Sequence, residues 1–266
     1  MADWGRHGQS ITLHGSNHRF HDWAEEKATS TVDHRTKDRR PPKKRRPGGM
    51  NILHEDREIL VVEKPPGLLA IGTDREKSRT AHYLLNDYVR KGDPRSRNRV
   101  YVVHRLDQDT SGILIFAKSE KAKRFLQENW RQTDKYYLAI VHGHPSPKEG
   151  QISSYLVENA ALKVYSTPDP AKGKLSHTKY KVLRETAGFS LVEIHLLTGR
   201  KHQIRVHFAE KGHPVAGDRK YGNRGPASRR LALHARSISF THPFSGAQLT
   251  FDTGMPEDFV RLLDKL

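Results

Sequence analysis

The polar residues of this chain that are equipped for chemistry gather in two short clusters. The first is His104-Arg105-Leu106-Asp107-Gln108-Asp109-Thr110-Ser111-Gly112, set between apolar runs at 100–103 and 113–117. The second is Leu197-Thr198-Gly199-Arg200-Lys201-His202-Gln203-Ile204-Arg205-Val206-His207, followed by Gly212-His213-Pro214 and Gly217-Asp218. A carboxylate displayed on a loop between rigid strands can serve as a nucleophile or a general base. Asp107 and Asp109 together would also permit a paired-carboxylate hydrolysis of the glycosidase kind. The plain alternative is that both clusters are polar turns carrying surface charge.

The surrounding pattern says what must position these loops. The run Ile59-Leu60-Val61-Val62 stops at Lys64-Pro65-Pro66-Gly67, a strand entering a turn. Ala81, Leu84, Leu85, Tyr88 and Val89 fall on one helical face, with Thr80 placed to cap it. Runs 100–103 and 113–117 predict strands on either side of the first cluster, and Ser119 then caps a helix whose inner face is Ala122, Phe125, Leu126 and Trp130. Strands are expected over 136–141, around Thr178, Tyr180 and Val182, and around Val192, Ile194 and Leu196. Residues 202–210 predict a helix ending at Gly212, with Pro214 beyond it. Short strands at 231–233 and 238–240 follow; 249–251 pairs back across Ser245-Gly246, and Phe259, Leu262, Leu263 and Leu266 mark a closing helix. Many strands with few, irregularly placed helices predict an α+β fold rather than a regular βαβ array.

Composition narrows the function. The chain has 266 residues, no Cys, and 47 Lys and Arg against 30 Asp and Glu, a net charge of +17. The missing cysteines exclude disulfides, thiolate metal sites and cysteine nucleophiles. No apolar run approaches the ~20 residues of a membrane-spanning helix, and the N-terminus lacks the apolar stretch of a secretory signal. The expectation is a cytoplasmic protein that stays off membranes. Residues 1–49 hold 11 Lys and Arg and 6 Asp and Glu, so +12 of the net charge sits on residues 50–266. A basic body of this kind favours a polyanionic partner through phosphate neutralisation. Residues 1–49, ending in Arg39-Arg40-Pro41-Pro42-Lys43-Lys44-Arg45-Arg46-Pro47-Gly48-Gly49, read as a flexible basic arm, and 50–266 as one globular domain. His7, His14, His18, His21 and His34 match no metal-ligand spacing, and no metal is expected.

Taken together, the motifs are similar to those of one enzyme family. His104-Arg105-Leu106-Asp107 with Thr110-Ser111-Gly112 resembles the signature of the RluA-type pseudouridine synthases, and Thr198-Gly199-Arg200 with 202–207 resembles that family's second motif. Lys135, Tyr137, Leu138 and Ala139 resemble its tyrosine-bearing strand, 51–69 its opening hairpin, and 230–235 with His242-Pro243 its closing segments. The resemblance runs in order over roughly 51–255. It implies a mixed, largely antiparallel central sheet flanked by helices and loops. It also implies an isomerase, needing no cofactor, that turns uridine into its C-linked isomer in ribosomal or transfer RNA. The resemblance maps the catalytic carboxylate onto Asp107, its paired cation onto Arg205 and the active-site tyrosine onto Tyr137. Arg105 is then expected to fill the space left by the flipped base. His104, Arg200, Lys201 and His202 are expected either to contact RNA backbone or to brace the two loops. Asp107 has three roles open to it: attack on the sugar, attack on the base, or removal of a sugar proton. Gln108 departs from the family, many of whose members carry a basic residue there, which removes one RNA contact. The enzyme is expected to act as a monomer on structured RNA.

Two other classes fit part of the pattern. An RNA N-glycosidase would share the charge and a carboxylate, and a non-catalytic RNA-binding protein would share the charge alone. If the basic body is the RNA-binding face, affinity falls steeply with salt, with a log–log slope of several units. A salt titration of RNA binding checks this, and a nearly flat response would show that the charge lies elsewhere.

Overall fold

The computed structural model describes residues 11–12, 47–72, 76–222 and 230–265. Most of the expected basic arm, and Leu266 of the closing helix, lie outside the described residues. The strands are β1 (Ile11–Thr12), β2 (Asn51–Glu55), β3 (Ile59–Lys64), β4 (Tyr101–Val102), β5 (Ser111–Ala117), β6 (Asp134–His142), β7 (Glu149–Glu158), β8 (Val164–Thr167), β9 (Lys174–Glu185), β10 (Phe189–Leu196), β11 (Leu233–Thr241) and β12 (Gln248–Asp252). The helices are α1 (Ala81–Arg90), α2 (Glu120–Glu128), α3 (Gln203–Glu210) and α4 (Glu257–Leu263).

All strands join one sheet in the order β2-β3-β5-β11-β6-β10-β9-β7-β8, with β4 on β5, β12 on β11 and β1 on β12. Every pairing is antiparallel except β5 with β11 and β1 with β12. The result is the α+β fold that the pattern predicts, with the mixed, largely antiparallel sheet that the resemblance implies.

The pleat of β3 and β5 explains how two helices share one sheet. Successive side chains of a strand face opposite sides, and both strands are apolar on both faces. Leu60, Val62, Leu114 and Phe116 pack with Ala81, Leu85 and Val89 of α1. Ile59, Val61, Ile113 and Ile115 pack with Ala122 and Leu126 of α2 and with Ile238 and Phe240 of β11. A third cluster seats α3 and α4 on β6 and β10. The caps form as expected, with Thr80 Oγ1 accepting from the Tyr83 amide at 3.2 Å and Ser119 Oγ from the Ala122 amide at 3.1 Å.

Three differences from expectation have physical causes. Strands 231–233 and 238–240 are largely one strand, β11, interrupted by an irregularity between Ala235 and Ser237 where it leaves register with β6. Trp130 is not on α2 but in a 3-10 turn after it, because the Asn129 side chain caps the Phe125 carbonyl at 2.9 Å and ends the helix. Strands β7 and β8 were not anticipated. They lie at the sheet's edge and are mostly half-buried or exposed, so they lack the apolar alternation that reveals a strand.

The parallel junction of β5 and β11 sets His234 beside Ser111 and Ala235 beside Gly112. Gly112 has φ +112°, and a Cβ there would lie 2.2 Å from the Ala235 carbonyl oxygen and 2.6 Å from its nitrogen. Only glycine permits that approach at the point where the first polar cluster enters the sheet. Gly112→Ala is therefore expected to cost more than about 2 kcal/mol of stability, combining strain at positive φ with a backbone clash. Urea unfolding measures it, and a variant as stable as the parent would contradict the close approach.

Candidate active site

The first cluster forms the loop between β4 and β5. Its inward residues hold it from below. Leu106 is buried, and the Thr110 amide donates to the Asp107 carbonyl at 3.2 Å. His104 Nε2 accepts from the Ile115 amide at 3.0 Å, and its ring stacks on Trp130 at 4.4 Å between centroids. Burial, reinforced by the Lys135 cation, pushes His104 down to about 3. The Ile115 contact ties the start of this loop to β5. Lys64, at the end of β3, is fully buried and donates to the carbonyls of Pro65, Leu68 and Gln108 at 2.8–2.9 Å. It pins the turn after β3 to the loop carrying Asp107, and burial pushes it down to about 8.

The second cluster forms a turn and then α3, which is buried on nearly every side and so must satisfy its polar residues internally. Gln203 bonds the hydroxyls of Thr178 and Thr198 and the His177 carbonyl. His207 bonds Thr178 and Ser154. Arg205 directs Nε and Nη2 at Asp218, at 2.7 and 2.9 Å, and Nη1 at Asp107 Oδ2, at 3.1 Å. Burial works against its charge, but the Asp218 hydrogen bonds and both carboxylates outweigh it and raise Arg205 above its ordinary value. Burial likewise opposes the Asp218 charge. The Arg205 fork and the amides of Lys220 and Tyr221 overcome it and hold that carboxyl below the usual range. The guanidinium also lies 5.2 Å from the centre of the Tyr221 ring.

These elements surround a solvent-open cleft of about 460 Å³, open space included, whose walls include Arg105, Asp107, Tyr137, Arg200, His202 and Arg205. Tyr137 comes from β6, opposite Ile194 of β10 and Ala235 of β11. Burial, and then the Asp107 charge, push its hydroxyl upward, so it is a neutral phenol at ordinary pH. His202 is in a left-handed conformation at the start of α3, with φ 54°. Its Nδ1 meets the Tyr221 hydroxyl at 2.7 Å and its Nε2 lies 3.7 Å from Asp107. Burial lowers its affinity for a proton, against the pull of Asp107.

Asp107, Tyr137 and Arg205 thus line one cleft. Arg105 and Arg200 are exposed at the rim. Lys201 is ion-paired with Glu158, and His202 faces inward. Among the described residues no three His, Asp or Glu side chains converge to hold a metal ion, and no helix is long and apolar enough to cross a membrane.

The family model described as RNA pseudouridylate synthase matches residues 58–210, a span that contains both clusters. The chain belongs to the RNA pseudouridylate synthase family. It is 36% identical over 217 residues to the dual-specificity RNA pseudouridine synthase RluA of Escherichia coli, covering 78% of this chain and 93% of that one. An uncharacterised RNA pseudouridine synthase of Mycobacterium bovis is 35% identical over 226 residues, 81% of this chain and 72% of the relative. Among solved structures, human RNA pseudouridylate synthase domain containing 4 superposes with a TM-score of 0.68 at 26% identity, covering 81% of this chain and 92% of that one. The chain is accordingly an RluA-type pseudouridine synthase, an RNA-modifying isomerase with the fold of that family.

Sequence reasoning missed two residues of this synthase's site. Asp218, which orients Arg205, was visible only as part of a Gly-Asp pair after the second cluster, and it lies beyond the matched span. Lys64 read as a turn residue, with nothing in its spacing to announce three carbonyl partners. The buried histidines generate a testable pH dependence. His104 is pushed down to about 3, and His207 and His234 to about 4, in each case mainly by burial. Unfolding exposes them to their ordinary value of 6.5, so the unfolded chain binds more protons between about pH 4 and 6.5. Stability should fall as pH drops through 6.5, and thermal unfolding at pH 7 and pH 4.5 reads it. An unchanged midpoint would mean that these rings are solvated.

Proposed function

We propose that this enzyme isomerises specific uridines of ribosomal or transfer RNA with Asp107 as the reacting carboxylate. The uracil N1–C1′ bond breaks, the base turns, C5 joins C1′, and the C5 proton leaves while N1 regains one. Atoms and electrons balance without an oxidant or an energy source. The observation carrying this reading is the Arg205 guanidinium, clamped by buried Asp218 and donating to Asp107 at 3.1 Å in the wall of the cleft. A base closing over the cleft strips water from the carboxylate, which disfavours its charge, and the fixed cation opposes that.

Tyr137 offers its ring to the uracil face and its hydroxyl to the C5 proton. Being a neutral phenol, it removes that proton only by passing its own onward, and Asp107 is the acceptor at hand. Arg105, exposed at the mouth, enters the space the base vacates and offsets the few kcal/mol that flipping costs. Arg200 is the stronger of the two neighbouring backbone contacts, since Lys201 must give up Glu158 to reach a phosphate. His202 acts mainly by holding Tyr221 beside Asp107. The basic segment before residue 50 supplies a further electrostatic tether.

RNA labelled with tritium at uridine C5 tests the assignment. Asp107→Asn keeps the side chain's shape and should abolish tritium release while leaving RNA affinity within several-fold. Tyr137→Phe should lower release by roughly 10²-fold or more at similar affinity. Substantial turnover by Asp107→Asn would refute the role of that carboxylate, and free uracil among the products would mark an N-glycosidase instead.

A further inference from the structure

A second cleft lies beside the catalytic one and shares the Gly199–Arg200 wall with it. It is larger, about 1060 Å³ by the same count, and its other walls include Trp130, Arg131, Lys135, Leu175 and His177. The reaction as derived above uses none of them. Leu175 is 43% exposed, a large apolar side chain left open to solvent on β9. Arg131 and Arg200 are exposed cations, and among the described residues no acidic side chain lines the cleft. Lys135 is not a free cation: it is buried and its ammonium donates to the carbonyls of Trp130 and Thr133, fixing the wall that carries Trp130. His177 is likewise held, its Nδ1 lying 2.9 Å from the Ser153 hydroxyl.

The half-buried Trp130, whose ring stacks on His104 and has the Lys135 ammonium 5.5 Å from its centre, and the exposed Leu175, rimmed by guanidinium groups with no carboxylate among the described lining residues, form the chemistry that takes an unpaired nucleotide. The base contributes a π-face to the apolar walls and its phosphate meets the cations. A paired base has its faces covered by neighbours and cannot use such a site. We infer that this cleft is a subsite for an unpaired nucleotide flanking the target uridine, with the base against Trp130 and Leu175 and its phosphate at Arg131 and Arg200. The inference rests on the proposed reading of the catalytic cleft, because the shared wall is what makes the occupant a neighbour of the target. Trp130 stacks on His104, three residues before Asp107, so a base seated here bears on the same loop as the carboxylate.

The subsite is tested with hairpin RNAs carrying the target uridine in a loop, each with one abasic residue placed in turn at the positions before and after the target. One such position should raise KM of the wild-type enzyme by about tenfold or more, the scale of one lost stack. Leu175→Glu and Arg131→Glu, both at exposed positions, should raise KM for the intact RNA by a similar factor with the loss falling on KM rather than kcat. In both variants the abasic substitution should cause little further loss. Leu183→Glu, an exposed leucine on the same strand that does not line the cleft, controls for added charge. Unchanged KM in both cleft variants, or an abasic penalty as large in them as in the wild type, overturns the subsite. A wild-type enzyme that releases no tritium from any uridine-containing RNA instead overturns the catalytic reading on which it depends.

Discussion

The site depends on one buried cation shared by two carboxylates. Arg205 spends one edge of its guanidinium on Asp218, whose side chain is fully buried, and turns the remaining donor to Asp107 at the cleft. The division follows from desolvation. An arginine whose side chain is only 10% exposed needs a partner that never leaves, and Asp218 fills that need independently of substrate. Buried ion pairs contribute little net stability once their dehydration is counted, but they are specific about geometry. Asp218 therefore fixes where the cation points, and the contact to Asp107 inherits that precision without having to provide it.

The other half of the pair is fixed by backbone rather than by charge. Lys64 holds the Gln108 carbonyl from one side, and Gly112 lets the chain press against Ala235 on the other. His104 ties the start of the loop to β5 through the Ile115 amide. Ser111, at its end, meets His234 at 2.8 Å and also accepts from Arg230, whose Nε is paired with Asp258 of α4. Each tie uses a group that would be costly to bury alone, so each is secure only when all its partners are present. Preorganisation of this kind is what lets a lone carboxylate meet its substrate without first moving.

What was legible in the sequence was whatever repeats or stands out locally. Thr80 and Ser119 announce their helices because a cap needs a hydroxyl at one place and an apolar period after it. Asp107 stands out because a polar loop interrupts two apolar strands, and its partnership with Arg205 was reached through family resemblance. Long-range polar contacts have no such local signature. Asp218 reaches back to Arg205, Lys64 reaches across to the Gln108 carbonyl and Ser111 meets His234, and single-residue identity does not say which carbonyl or ring will be waiting. Strands β7 and β8, the last two of the sheet, were missed for a related reason. With many side chains facing water, nothing constrains their composition, yet they position Ser154 against His207 and Glu158 against Lys201.

The placement of Asp109 bears on which chemistry one loop can support. It follows Asp107 by two residues, and a paired-carboxylate hydrolysis would need it to face the same substrate with room for a water between. Asp109 is exposed and does not line the cleft, and its charge is felt instead by the buried ammonium of Lys64. Asp107 shares the cleft with Tyr137, a neutral phenol, with the His202 imidazole and with the cations Arg105, Arg200 and Arg205. Among the described residues lining the cleft Asp107 is the one carboxylate, so the paired-carboxylate geometry of a glycosidase is not formed there. Under the proposed isomerisation the ring of Tyr137 and the fixed charge of Arg205 would have to hold the severed base until it rejoins the same sugar, and the RNA itself would have to cover a cleft that is open to solvent.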